Sequence, residues 1–194
     1  MKTFQESFEE SYMAYEEPCS NKRGFRVRYA YVGMWYVYQL AKEELARYKR
    51  IFVLLCALGT ASFAGAALWN CELNYRSFPI LFSGLSLAAF LFQWLGVISF
   101  AAAGERNTDQ SFRQMNTILR AAPLVNAILL LGAAVSCIVL IALNGYSVRM
   151  LAVPLLYLLS GACCFLITFF YRALPYSKQE NRTSKDGSKK FIRT

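Results

Sequence analysis

Four long uncharged stretches dominate the pattern of apolar and polar positions along the chain. They lie at about residues 51–69, 78–103, 123–143 and 150–171, and none of them contains Asp, Glu, Lys or Arg. A helix needs about 20 apolar residues to cross the hydrocarbon core of a bilayer. The pattern therefore predicts an all-α membrane protein, with a four-helix transmembrane bundle over residues 41–171.

The stretch before the first span has a different pattern. Residues 25–40 read FRVRYAYVGMWYVYQL and are rich in Tyr, Val, Trp and Phe, which favour strands. Gly33 and Met34 suit a two-residue turn with glycine first, so we expect a small cytosolic β-hairpin in which Tyr31 pairs with Tyr36. An isolated hairpin is marginally stable in water. This one should therefore rest on the cytosolic helix ends, on lipid headgroups, on a second copy of the chain or on another protein.

The two ends of the chain are polar. Residues 1–24 are acidic and interrupted by Pro18, and residues 175–194 are basic. Such segments have too few apolar residues to form a core. We expect a flexible N-terminal tail and a disordered C-terminal tail. Residues 41–50, by contrast, are strong helix formers and should continue without a break into the first span.

The positions of the charges predict the orientation of the bundle. Of the 21 lysines and arginines, 19 fall in segments that four crossings place on one side, and the outer turns hold only Arg76 and Arg149. Cytoplasmic segments carry such an excess of Lys and Arg. Both termini should be cytoplasmic in a multi-pass protein of the plasma membrane, and the short loops favour a bacterial inner membrane. The net charge is +9, and the basic residues flank apolar spans rather than covering one face of a soluble fold. This distribution argues against nucleic acid as a partner.

The sequence lacks the residue types that most enzymes need. It has no histidine, and no Asp or Glu lies inside a span. Histidine is the commonest general base at neutral pH and the commonest metal ligand. The six cysteines form no CxxC pair. We expect no catalytic site, no metal and no cofactor.

Two amides are the main polar groups within the spans. Gln93 lies in the second span and Asn126 in the third. Polar side chains of this kind hydrogen-bond across membrane helices. They are candidate intramembrane polar contacts, with a substrate site as the alternative interpretation.

The hairpin is the strongest candidate for a functional surface. Tyr, Trp and Arg are the usual anchors of protein interfaces, and the candidate partner-binding residues are Arg26, Arg28, Tyr29, Tyr31, Trp35, Tyr36 and Tyr38. The partners that we expect are the lipid bilayer and a membrane or cytosolic protein. Small residues at four-residue steps, such as Ser160 and Cys164, fit either packing inside the bundle or a homodimer seam.

These observations favour a non-enzymatic accessory or scaffolding subunit that binds a protein through its hairpin. The alternative is a small oligomeric transporter or channel for an uncharged solute, since such a solute needs no charged residue in its pathway.

Overall fold

The structure is a computed structural model that describes residues 11–18, 25–144 and 148–179. These residues divide into two compact units. The sheet unit comprises residues 11–18, 25–39, 104–112 and 176–179, and the helical unit comprises residues 40–103, 113–144 and 148–175.

The sheet unit contains two antiparallel sheets. In the first, β1 (Tyr12–Pro18) pairs with β2 (Phe25–Tyr31) over the full length of both strands. In the second, β3 (Trp35–Tyr38) is the middle strand between β4 (Arg106–Thr108) and β5 (Tyr176–Gln179).

The strands over residues 25–31 and 35–38 confirm the β character of this stretch, but the expected pairing between them is wrong. Tyr31 lies opposite Tyr12, and Tyr36 lies opposite Asn107 on one side and Lys178 on the other. Both edges of β3 are occupied by β4 and β5, so β2 has no edge of β3 with which to pair. The Tyr31 ring also covers Gly33, because a Cβ atom at Gly33 would lie 2.6 Å from the tyrosine hydroxyl.

Parts of both predicted tails are ordered strands. β1 lies within the N-terminal segment 1–24, and β5 lies within the C-terminal segment 175–194. β5 pairs with β3, about 140 residues earlier in the chain, whereas β1 pairs with β2, which begins seven residues after β1 ends. The polar composition of the two segments did not indicate either strand. The rest of the two tails, residues 1–10, 19–24 and 180–194, lies outside the described residues.

Four helices of the described chain are long and apolar enough to cross a membrane. They are α1 (Lys42–Ala67), α2 (Ser77–Ala102), α3 (Asp109–Asn144) and α4 (Ala152–Ala173). Short 3₁₀ turns precede α2 at Glu72–Tyr75 and α4 at Val148–Leu151. The continuous α1 confirms that residues 42–50 extend the first span.

The third helix is longer than the third predicted span. The predicted span starts at residue 123, whereas α3 begins at Asp109, so Pro123 lies in the interior of the helix. Proline removes one backbone hydrogen bond from a helix. Met115 and Leu119 are buried on the segment before it, and this packing holds the helix through the proline.

Small residues bring α1 and α4 together in the helical unit. Ser160 Oγ donates a 2.7 Å hydrogen bond to the carbonyl oxygen of Gly59, and a Cβ atom at Gly59 would lie 3.2 Å from Cys163 Cβ. Ser160 and Cys164 are fully buried. The four-residue step that they form therefore packs inside the bundle.

Side-chain hydrogen bonds also connect the helices near their ends. The Asn74 side chain donates 2.8 Å hydrogen bonds to the carbonyl oxygens of Ala66 and Trp69 at the C-terminus of α1. Tyr157 from α4 donates to Asn74 Oδ1 at 3.3 Å. At the other end, Lys49 Nζ donates to the carbonyl oxygen of Ala103, which follows α2.

Candidate functional site

Two of the predicted partner-binding residues belong to the core of the sheet unit. Tyr36 is 5% exposed and Tyr38 is 6% exposed. The Tyr36 ring stacks on Phe112, with 4.2 Å between ring centroids and 8° between ring planes. Lys178 Nζ lies 5.7 Å from the centre of the Tyr36 ring. These two tyrosines hold the three-stranded sheet together and offer little surface to a partner.

Tyr31 and Trp35 connect the strands of the sheet unit. The Tyr31 hydroxyl donates to the Met34 carbonyl oxygen at 2.8 Å and accepts from the Asp109 backbone N–H at 2.9 Å. Its ring packs edge-on against Tyr12 and Trp35, at 5.3 Å and 4.9 Å between centroids. Burial raises the pKa of the Tyr31 hydroxyl, against the lowering effect of the Asp109 hydrogen bond. Tyr31 is thus a positioning residue that fixes the end of β2.

The other three predicted residues lie on an exposed ribbon formed by β1 and β2, which we call the β1–β2 ribbon. Arg26 and Arg28 are exposed, and Tyr29 is 59% exposed. Since side chains alternate along a strand, Val27 and Tyr29 share one face of the ribbon and the two arginines share the other. Val27 is 46% exposed. Two large side chains are therefore about half exposed on one face of the ribbon.

One ion pair crosses the charged face of the ribbon. Arg28 Nε lies 2.6 Å from Glu17 Oε2, and both side chains are about half exposed. Exposed pairs contribute about 0–1 kcal/mol to stability. The pair orients Arg28 without removing it from solvent, so the guanidinium remains accessible.

The structure brings Gln93 and Asn126 together in the interior of the helical unit. Both side chains are 0% exposed, and Asn126 Nδ2 donates to Gln93 Oε1 at 3.2 Å. Gln93 Nε2 lies 3.5 Å from Cys56 Sγ, and Asn126 Nδ2 lies 3.7 Å from Cys164 Sγ. The two amides and two thiols join all four helices, one residue from each.

Two further hydrogen bonds connect to this polar cluster, and one oxygen atom of the cluster has no hydrogen-bond donor among the described residues. Trp94 Nε1 donates to Thr60 Oγ1 at 3.1 Å, and Thr60 Oγ1 donates to the Cys56 carbonyl oxygen at 2.8 Å. Asn126 Oδ1 is buried with no hydrogen-bond donor among the described residues. A buried acceptor of this kind raises the free energy of the folded state unless a donor reaches it.

Sequence reasoning found the amides but missed their partners. In the sequence Cys56 and Cys164 are only cysteines within apolar spans, whereas in the structure their sulfurs accept hydrogen bonds from the two amides. The only sequence signal was their position, since both lie in spans beside small residues. Phe112 and Asn107, which are 3% and 6% exposed, were also missed, because their partner strand β3 is far away in sequence.

No group of three or more His, Cys, Asp or Glu side chains within the described part of the chain could hold a metal ion. The chain was compared with protein-family models, curated proteins and solved structures, and none of them matches it.

Proposed function

We propose that this chain is a non-enzymatic, multi-pass membrane protein that acts as an accessory or scaffolding subunit. The four apolar helices support insertion in a bilayer. The distribution of Lys and Arg supports cytoplasmic termini and a plasma-membrane location. The partner is a membrane or cytosolic protein, and it binds the β1–β2 ribbon.

The proposal that a partner binds the β1–β2 ribbon depends on the exposure of the ribbon. Residues 26–30 are all exposed, whereas Tyr36 and Tyr38 on β3 are buried. Tyr29 on the apolar face and the arginines on the other are residue types that anchor protein interfaces. A partner that covers Val27 and Tyr29 would also remove apolar surface from water. This burial would stabilise the complex by about 25 cal/mol per Å².

The test uses two surface substitutions that leave the sheets intact. Deleting residues 25–40 would remove β3 from the centre of its sheet, so loss of binding in a deletion would have two explanations. Val27→Thr with Tyr29→Ser instead changes only exposed side chains. The tagged protein is purified from native membranes in mild detergent, crosslinked through lysines and analysed by mass spectrometry.

A stoichiometric partner that is lost from the double variant would support the proposal. The matched control is Tyr75→Ser, because Tyr75 is 73% exposed but lies in the 3₁₀ turn before α2. The control should retain the partner. Equal retention by both variants, or a homo-oligomer with no partner, would refute ribbon docking.

A second candidate function is an oligomeric transporter or channel for an uncharged solute. The observation that favours it is the buried Asn126 Oδ1, which lacks a donor among the described residues and could accept a hydrogen bond from a solute. Flux into reconstituted vesicles should then fall in Gln93→Leu and Asn126→Leu. Unchanged flux in both variants would remove these amides from the pathway.

A further inference from the structure

We propose that α3 and α4 form a binding site for one anionic phospholipid, with an acyl chain in the groove between them and the phosphate at Arg120 and Arg172. The site uses none of the residues of the β1–β2 ribbon. It does require that the helices are embedded in a bilayer, as the apolar spans indicate.

The groove lies between the outer faces of the two helices. Its volume is about 350 Å³, and its lining includes Leu124, Ile128 and Leu131 of α3 and Leu158, Ala162 and Phe165 of α4. Ligand pockets typically hold about 300–1,000 Å³. The lining carries no charged residue and suits a hydrocarbon chain.

Close packing of small residues gives the groove its shape. Gly161 and Ala127 also line it, and a Cβ atom at Gly161 would lie 3.5 Å from the Ala127 carbonyl oxygen. The two helices therefore approach closely at this point. Ile128 and Phe165 stand on either side, and both are more than half exposed.

An arginine continues each wall of the groove towards the same end of the helices. Arg120 precedes Leu124 by four residues, and Arg172 follows Phe165 by seven. Residues separated by four or seven lie on the same face of a helix. At 1.5 Å per residue the arginines are about 6 Å and about 10 Å beyond the groove. Their long side chains can converge on one phosphate there.

The charge around these arginines favours an anionic ligand. Both side chains are exposed, and the sequence contains no Asp or Glu from residue 110 to residue 173. Neither helix therefore supplies a carboxylate beside them. The same end carries the excess of Lys and Arg that marks the cytoplasmic side, where anionic lipids are enriched. Basic sites between membrane helices on that side bind phospholipid headgroups.

The same charges argue against a second copy of the chain in the groove. Copies in one membrane have the same orientation, so a symmetric dimer at this face would place Arg120 and Arg172 against their own equivalents. Like charges in contact are unfavourable. A phospholipid instead matches both parts of the site, since its chain is apolar and its headgroup is negative.

Photolabelling of the wild-type protein is the first test. The full chain is incubated in mild detergent with phosphatidylglycerol that carries a diazirine on its acyl chain, and labelled peptides are mapped by mass spectrometry. We expect saturable labelling of residues 124–131 and 158–165, with competition by unlabelled phosphatidylglycerol but not by phosphatidylcholine. Labelling spread evenly over the four helices, or equal competition by both lipids, would overturn the proposal.

Matched variants separate the two parts of the site. Arg120→Gln with Arg172→Gln should weaken phosphatidylglycerol binding about 25-fold, at about fivefold per arginine. Arg120→Lys with Arg172→Lys should retain most of the binding. The control is Arg149→Gln, an exposed arginine just before α4, at its opposite end. An equal loss in the control would mean that general surface charge, rather than this site, binds the lipid.

The groove itself is tested with Ala162→Phe, which fills it from an exposed position. This variant should lose labelling, while Ala88→Phe, an exposed alanine on α2, should not. Retained labelling in Ala162→Phe would overturn the acyl-chain site. A crosslinked dimer through the groove residues would overturn it in favour of a second copy. The photolabelling map of the wild type decides the question even if a variant does not fold.

Discussion

The buried hydrogen bond between Gln93 and Asn126 makes a quantitative prediction. Gln93→Leu removes the acceptor of the 3.2 Å bond, and Asn126→Leu removes its donor. Each single variant leaves the other amide in the interior with a lost partner. The double variant removes both amides and also removes Asn126 Oδ1, which has no donor among the described residues. We therefore expect the double variant to be destabilised by less than the sum of the two single variants.

The structure sets the size of this coupling. Polar contacts between membrane helices average about 0.6 kcal/mol and reach about 1.7 kcal/mol. The Gln93–Asn126 distance is at the long end of the usual range for an N–H···O hydrogen bond, and the remaining contacts end on sulfur, a weak acceptor. We place the coupling near the lower figure. Each single variant should cost about 1–3 kcal/mol, because it leaves a buried polar group unpaired.

The measurement is a double-mutant cycle of unfolding free energies. The protein in mixed micelles is titrated with sodium dodecyl sulfate and followed by tryptophan fluorescence. The matched control pairs Gln93→Leu with Asn144→Leu, since Asn144 is exposed at the far end of α3. That pair should be additive within about 0.5 kcal/mol. Additivity of Gln93→Leu and Asn126→Leu, or equal coupling in the control pair, would refute the network.

Four further predictions concern three glycines and Tyr31. Gly33→Ala places a Cβ atom 2.6 Å from the Tyr31 hydroxyl, so it should lower the thermal midpoint by more than Tyr31→Phe, which loses only hydrogen bonds. Gly59→Ala, with its Cβ 3.2 Å from Cys163, should cost about 1–3 kcal/mol. Gly84→Ala, with nothing within 4 Å, should be neutral or stabilising by up to about 1 kcal/mol, and a loss equal to that at Gly59 would contradict the packing argument. The pKa of the Tyr31 hydroxyl is raised in the folded state, so the protonated hydroxyl stabilises the fold at pH values below its ordinary pKa of 10.0. This stabilisation is lost as the pH rises through the folded-state pKa. Above pH 10 the free energy of unfolding should therefore fall more steeply in the wild type than in Tyr31→Phe.

The helices of this protein could be predicted from the sequence because length and apolarity are local properties. The predicted second span, residues 78–103, differs from Ser77–Ala102 by one residue at each end. The third helix extends 14 residues before the start of the predicted third span at residue 123. Proline marks a helix start only where packing does not hold the preceding turns, and the buried Met115 and Leu119 hold them here.

The three-stranded sheet could not be predicted because its pairings are not local. Alternate residues of a strand share a face, so Tyr36 and Tyr38 are buried together, but the predicted partner of this strand was β2. Asn107 and Lys178, which lie opposite Tyr36, are about 70 and 140 residues further along the chain. The same distance explains the candidate surface. Tyr29 and Tyr36 have similar sequence surroundings, and only the tertiary structure shows that Tyr29 is exposed and Tyr36 is buried.

The three-stranded sheet connects the charge pattern with the order of the helices. β3 precedes α1, β4 lies between α2 and α3, and β5 follows α4. Strands that share a sheet lie on one side of any bilayer that the helices cross, so an even number of crossings must separate them. Two helices separate β3 from β4, and two separate β4 from β5. The segments that contain these strands also hold 19 of the 21 lysines and arginines. Strand pairing and the positions of the basic residues thus assign the same three segments to one side of the membrane, and the two arguments are independent. This agreement is the strongest support for proposing that the sheet and both termini are cytoplasmic.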